Sequence, residues 1–390
     1  MEEKITYDFD TVISRIGTQA EKYDARQQYY GTSDVEPFWV ADMDLPSPGF
    51  LVEALQKRVD HSLFGYTEQD PSLFQAIVWW MSNQHRVEVA PEMISLSPSV
   101  VSTISMAIEA FTALQDQVVV LSPVYGPFFS TVKLHGRIPT DCPLLIQEGR
   151  YAMDWQAIEM ALSDSRTTML LLCNPQNPSG RVWQADELLR LGQLCKAHEV
   201  ILFSDEIHSD IVYLPASHTS VLAFPELRNH CVMAHSIGKT FNASGLKSSF
   251  SIVPNADLRA RLRRAHRRAH SENINLLGKV AIRRLFSPDG VEYKRQLNAY
   301  LKASTQKVYE KLAAIDGLKP MCPDATFLVW CDFRDHGDWR TVSNRLIKEG
   351  RIALSGGTFF GPAGEGWFRI NCGHSRLQLL PAVDRMCGIF

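Results

Sequence analysis

Chemistry could begin at Lys239, which follows an apolar run and sits in Ser236-Ile-Gly-Lys239-Thr240-Phe241-Asn242. A lysine amine attacks a carbonyl carbon only when unprotonated, and burial or nearby cations lower its pKa toward that state. Ser236, three residues earlier, and Lys247, eight later, offer a hydroxyl and a cation to a bound anion. Ser99 and Val100 follow a short apolar segment and open a helical pattern, so their backbone N–H groups would point at the same kind of ligand. Asp205 ends the run Ile201-Leu-Phe203-Ser-Asp205. It either caps a helix or stands as a carboxylate against a protonated ring nitrogen. An ion pair at ~4 Å is worth ~4 kcal/mol at an effective dielectric of ~20, or about three pKa units, which suffices to keep such a ring cationic. Asn177, in an Asn-Pro turn, can donate its amide to a ring oxygen or simply shape the turn. Tyr125 can stack on a ring or pack as an ordinary amphipathic residue. Arg369 lies inside the strand-like run Trp367-Phe-Arg369-Ile-Asn371 and needs an anion there, either a substrate carboxylate gripped bidentately or a structural partner.

These residues must be positioned by a regular scaffold. Helix-period apolar residues run over 50–59, 73–81, 101–111, 126–134 and 185–198. Between them lie short apolar segments at 93–96, 118–121, 169–173, 200–203 and 232–234. Strands of this kind between helices predict an α/β fold with a mainly parallel sheet covered on both faces. Ligands bind such sheets at the carboxyl ends of the strands, where the polar groups above fall. The pattern breaks near Ser287-Pro-Asp-Gly290, followed by a helix over 293–312 and a strand-like stretch over 326–331. The expected division is a large domain over 47–287, a smaller α+β domain over 288–390, and an N-terminal segment, 1–46, that packs with the smaller one.

Composition narrows the function. With 390 residues the chain exceeds the usual size of a single core. A hydrophobic share of 45% and a charged share of 21% are ordinary for a globular protein, and a net charge of -3 gives no pull toward nucleic acid or acidic membranes. No apolar run approaches the ~18 residues of a membrane span, and the acidic start Met1-Glu2-Glu3-Lys4 lacks a signal-peptide core, so a cytoplasmic protein is expected. The eight cysteines include no C-x-x-C pair and read as buried reduced thiols; the twelve histidines show no metal spacing, so no metal is expected. Six arginines within 259–268 read as a solvated helix face balanced by acidic neighbours.

The order Tyr125, Asn177, Asp205, Lys239, Arg369 resembles the fold-type I pyridoxal-phosphate enzymes of the aminotransferase superfamily, through Asn174-Pro-Gln-Asn177-Pro-Ser-Gly180, Ser204-Asp-Glu-Ile-His208, Ser236-x-x-Lys239 and Phe368-Arg-Ile-Asn371. It is more closely similar to the MalY/PatB branch of carbon–sulfur β-lyases, through Trp39-Val-Ala-Asp42-Met-Asp44, Phe64-Gly-Tyr66, Pro123-Val-Tyr125-Gly-Pro-Phe-Phe129, Gly180-Arg-Val-Trp183, Lys239-Thr-Phe-Asn242 and Ala325-Thr-Phe-Leu-Val-Trp330. The resemblance implies a seven-stranded, mainly parallel large sheet and pyridoxal 5'-phosphate as cofactor. It implies Lys239 as the Schiff-base lysine, Asp205 on the pyridine nitrogen, Asn177 on the phenolic oxygen and Tyr125 over the ring, with His208 beside the cofactor. Ser236, Lys247 and the backbone of Ser99, Val100 and Val101 would hold the phosphate, and Arg369, with Asn177 and Ala41, the amino-acid substrate. Tyr66 would reach the phosphate of a second subunit, which implies a homodimer. The implied reaction is β-elimination on cystathionine or another S-substituted cysteine, giving a thiol, pyruvate and ammonia. An aminotransferase would share every cofactor contact, but many transaminases of the superfamily carry Tyr where this chain has His208. A pyridoxal-phosphate-binding regulator with weak lyase activity is the third reading.

Overall fold

The computed structural model describes residues 5–390, so the acidic start read above lies outside the described residues. The first strand, β1 (Glu36–Phe38), precedes β2 (Ile94–Ser97), β3 (Gln117–Val120) and β4 (Ile138–Asp141). A hairpin of β5 (Leu145–Gln147) and β6 (Arg150–Ala152) separates these from β7 (Thr167–Cys173), β8 (Ile201–Asp205), β9 (Cys231–Ser236) and β10 (Ser249–Ile252). The remaining strands are β11 (Lys319–Met321), β12 (Leu328–Asp332), β13 (Ile352–Gly356) and β14 (Trp367–Asn371).

Seven strands form one sheet in the order β2-β10-β9-β8-β7-β3-β4. β4, β3, β7, β8 and β9 run parallel, and β10 lies antiparallel between β9 and β2. The inner parallel strands β3, β7, β8 and β9 are mostly apolar because both faces are covered, whereas the edge strand β4 is partly exposed. Met169, Leu171 and Cys173 of β7 enter the core on one face, and Leu170 and Leu172 the core on the other, as a period of two requires. The strand β10 escaped the sequence reading because Ser249-Phe-Ser-Ile252 interrupts the apolar pattern. Its serines are nevertheless buried, and Ser249 Oγ lies 2.7 Å from Ser97 Oγ across the sheet.

The second sheet has the order β1-β13-β14-β12-β11, with β1 parallel to β13 and the other pairs antiparallel. A chain segment from near the N-terminus thus completes a sheet otherwise built from residues 319–371. The helix Pro288–Ala313 crosses between the sheets, and Tyr7 and Phe9 pack edge-on against its Tyr293. This helix begins well before the expected position 293. Ser287 caps it by accepting from Gly290 N, and Pro288 occupies its first turn, so a motif that reads as a break is a helix start.

The arginine-rich segment forms the helix Ala256–Arg268, and its charge is balanced only partly by the acidic neighbours expected. Arg259 donates to the carbonyls of Val253 and Pro254, Arg261 to that of Ala110, and Arg263 to those of Glu92 and Ile94. Carbonyls thus take up three of the six arginines, while the charge of Arg268 acts on the Glu109 carboxylate. Of the eight free thiols, six are buried, Cys387 is partly so, and Cys322 is exposed, contrary to expectation for that residue. Burial pushes the Cys142 thiol up to about 11 and Cys195 to about 12, and raises Cys173, Cys231, Cys331 and Cys372 further.

Leu202, at the centre of β8, has no exposed surface. Leu202→Ala should cost ~2–5 kcal/mol of stability, seen as a lower urea midpoint with an unchanged slope.

Candidate active site

The loops after β2, β3, β7, β8 and β9 emerge on one side of the large sheet, because these five strands share a direction. They carry Ser99, Tyr125, Asn177, Asp205 and Lys239, so a chemically capable cleft forms at the strands' carboxyl ends. The strand β14 of the second sheet brings Arg369 to it.

Arg369 is 3% exposed, and its guanidinium meets only neutral acceptors. Nη1 donates to Asn177 Oδ1 (3.0 Å), and Nη2 to the Trp39 carbonyl (2.7 Å) and to Ser355 Oγ (3.3 Å), which sits opposite it in the ladder. The face of Phe360 lies 4.9 Å from the guanidinium carbon, and Nε is buried without a partner. Burial lowers its pKa to about 10, relieved only by the Tyr125 and Tyr30 hydroxyls. The structural ion pair left open by the sequence is therefore absent among the described residues. A buried guanidinium of this kind is completed by an incoming carboxylate.

The Lys239 amine donates to the Ala41 carbonyl at 2.6 Å. Burial and the Arg369 charge bring it down to about 8, against the opposing pull of Asp42 and Asp205. Asp205 moves the other way. Burial pushes its carboxyl up to about 7, while the Ile207 N–H (3.1 Å) and the charges of Lys239 and His235 hold it down. It caps no helix, since turns follow β8, so the alternative role read from the sequence falls away. A buried carboxylate held by one backbone N–H has room for a further donor, as a protonated ring nitrogen would be. His208 is buried with Nδ1 unpartnered, and burial together with Lys239 and Arg369 keeps the imidazole neutral. Tyr125 is half-buried, its ring 5.9 Å from Phe359, and its hydroxyl is raised by burial.

An anion cradle lies beside these groups. The helix Val100–Phe111 opens with Ser99 as cap, its Oγ accepting from Ser102 N, which leaves the Val100 and Val101 N–H groups directed outward. Ser236 lies across β10 from Ser97 through Ser249, which brings it near this helix start. Its hydroxyl donates to the Ser248 carbonyl and accepts from Gly238 N, so its proton is committed to the backbone here. Lys247 is exposed, in a left-handed conformation (φ 48°). Tyr66 is fully exposed on the loop before the helix Pro71–His85 and does not join the cleft of its own chain.

Several contacts escaped the sequence reading. The Trp39 carbonyl, Ser355 and Tyr30 around Arg369 act through backbone or through tertiary proximity. Asn371, two residues beyond Arg369, donates to the Val40 and Asp42 carbonyls at 2.6 Å and so fastens the segment that touches both Arg369 and Lys239. Its signal was present, since Asn371 shares a motif with Arg369 and the segment is the Trp39-to-Asp44 motif. Lys22, Arg15 and His374 tie Asp42 and Asp44 down from beneath.

The residues fit pyridoxal phosphate on three counts: an under-bonded buried carboxylate, an amine with a lowered pKa, and free N–H groups at a helix start. In the cofactor-free protein the raised Asp205 pKa has a definite sign. Between about 4 and 7 the folded state holds a proton that the unfolded state has lost, so this group's contribution is full at low pH and vanishes as pH rises through about 7. Asp205→Asn should therefore flatten the decline in stability across that window, measured by urea titration at several pH values.

Comparison with known proteins places these features in context. The family described as aminotransferase class I and II matches residues 40–386. The chain is 39% identical to cystathionine beta-lyase PatB of Bacillus subtilis over 97% of this chain and 98% of that one. It is 30% identical to protein MalY of Escherichia coli, covering 97% of each. Among solved structures, cystalysin from Treponema denticola, which contains a pyridoxal 5'-phosphate cofactor, superposes with a TM-score of 0.95 at 28% identity, covering 99% of both chains.

Proposed function

The chain belongs to the class I and II aminotransferase family, within its MalY/PatB-type branch, and from that premise we propose that it is a pyridoxal-phosphate-dependent carbon–sulfur lyase acting on cystathionine. The observation that carries an amino-acid substrate is Arg369, a buried guanidinium with an orphaned N–H and no carboxylate beside it among the described residues.

Bound pyridoxal phosphate supplies an aldehyde that joins amines and a cationic ring that accepts the electron pair left on a substrate carbon. Lys239 would hold the aldehyde end, Asp205 the pyridine nitrogen, Asn177 the phenolic oxygen, and Tyr125 one face of the ring, with His208 close by. The Val100 and Val101 N–H groups, with Ser99, Ser236 and Lys247, would hold the phosphate. Asp205 has work to do there. A carboxyl that burial leaves half-protonated near neutrality ionises fully once a ring N–H is placed against it, and the pair then keeps the ring cationic.

The substrate's α-carboxylate fits Arg369, whose Nη1 is already steadied by Asn177 and Nη2 by the Trp39 carbonyl. This fixes the substrate's α-carbon beside Lys239. Freed from the cofactor, the Lys239 amine takes the α-proton onto Nζ. A base whose pKa lies near the working pH is matched to that task, and the value of about 8 meets the condition. The sulfur on the β-carbon leaves with its bonding pair as a thiolate, and water converts the remainder to pyruvate and ammonia. His208, held neutral, adds no charge that would compete with Arg369 for the carboxylate.

Three further points belong to this reading. Residues 47–287 act as the cofactor-binding domain and 288–390, with the N-terminal segment, as the smaller one. The protein works in the cytoplasm, a reducing compartment that suits eight unpaired thiols. It works as a homodimer, supported by the exposed Leu63, Phe64 and Tyr66 on one loop, with Tyr66 meeting the partner's cofactor. Sedimentation should give twice the 44.0 kDa chain mass; a monomer of full activity would sink the cross-subunit role of Tyr66.

The central test supplies purified protein and pyridoxal phosphate with L-cystathionine. Pyruvate and free thiol should appear in equal amounts without any keto acid, and Lys239→Ala should abolish both. Strict dependence on added keto acid would instead identify a transaminase.

A further inference from the structure

Five residues beyond Asp205 lies another buried carboxylate, outside the cleft. Asp210 is 2% exposed and gathers donors from four parts of the chain. His85 Nε2 lies 3.0 Å from Oδ1, and Trp80 Nε1 reaches both oxygens at 3.2 and 3.3 Å. Thr240 Oγ1 donates to Oδ2 at 3.1 Å, and His235 Nε2 lies 3.4 Å from that oxygen. Lys294 Nζ is 3.5 Å from Oδ1, and Asn298 donates to the main-chain carbonyl. Burial alone would raise the Asp210 pKa; Lys294, His235 and His85 overcome it and hold the carboxyl well below its ordinary value.

His85, Asp210 and His235 present atoms within 4.8 Å of one another, a spacing that could suit a metal ion and that no sequence spacing revealed. Two features argue for a different use. Both Asp210 oxygens already accept N–H or O–H donors, and the Lys294 ammonium stands where a second cation would be repelled.

The partner that matters is Thr240, because it directly follows Lys239. Lys239 is thereby held at both ends: its amine on the Ala41 carbonyl, and its main chain through the neighbouring hydroxyl on a carboxylate that Trp80, His85 and Lys294 also contact. A base that must swing between two carbon atoms needs a fixed root, since small misplacements cost large factors in rate. We propose that Asp210 is a positioning residue for Lys239, acting through the Thr240 hydroxyl. This rests on Lys239 being the amine that joins the cofactor.

The test compares Thr240→Val, Thr240→Ser and Asp210→Asn with the unaltered protein and Lys239→Ala. The first readout is the rate at which cofactor-free protein takes up pyridoxal phosphate, followed by visible absorbance. The second is the split between kcat and KM on cystathionine. Thr240→Val should slow uptake and lower kcat about tenfold with KM within about twofold, and Thr240→Ser should restore both. Asp210→Asn should lose at least as much as Thr240→Val, and if it fails to fold the threonine pair still decides. Equal uptake and kcat in Thr240→Val and the unaltered protein would overturn the proposal while leaving the role of Lys239 intact. Normal uptake by Lys239→Ala would overturn the underlying reading instead. Stoichiometric zinc in the purified protein, lost in His85→Ala, would also overturn it by making the cluster a metal centre.

Discussion

A positive charge is buried at the seam between two sheets, and among the described residues no negative charge meets it. Removing a guanidinium from water is costly, and here the compensation is partial: three neutral acceptors, an aromatic face and one unanswered N–H. The surrounding architecture follows from tolerating that cost. Asn177 must come from the large sheet, Ser355 from the small one and the Trp39 carbonyl from the N-terminal segment, so the guanidinium is reached only when all three are folded together. The described residues thus leave one guanidinium N–H unsatisfied at this seam.

The neighbouring charges are set in relation to that one. Arg369 helps depress the Lys239 amine, and both help keep His208 neutral. Asp205, on the opposite side of the balance, is raised by burial and restrained by Lys239. No single group is tuned alone. The segment 39–42 links them mechanically as well, since its carbonyls bind Arg369 and Lys239 while Asn371 and the Lys22–Asp42–Asp44 cluster fix its backbone.

Much of the scaffold could be read directly from residue patterns. Strands such as Thr167–Cys173, buried on both faces, announce themselves through an apolar run, here Met169–Cys173, though the two leading threonines go unread. Ser249–Ile252 did not, because buried serines that bond to one another look like surface residues. Side chains with chemical capacity, such as Lys239, Asp205 and Arg369, were legible through their joint order and the motifs around them, since each type alone has ordinary uses. Main-chain acceptors were not, since the carbonyls of Trp39 and Ala41 carry no residue signature. The Asp210 cluster was hidden for another reason: its members are spread from Trp80 to Lys294 and meet only through tertiary folding. The arginine helix shows the converse failure. Its charge run suggested acidic neighbours, and Arg268 has one in Glu109, but Arg263 is served by carbonyls at a sheet edge.

The state of the protein's own sulfur atoms acquires meaning beside a reaction that liberates thiols. Disulfide exchange requires a thiolate, and thiols kept inside apolar surroundings remain protonated far above neutral pH. A catalyst releasing mercaptans, whose oxidised forms would cap any reactive cysteine nearby, is thereby insulated from its own product. Cys322 stands exposed, yet partial burial and Asp324 raise its thiol as well, so it shares in that protection.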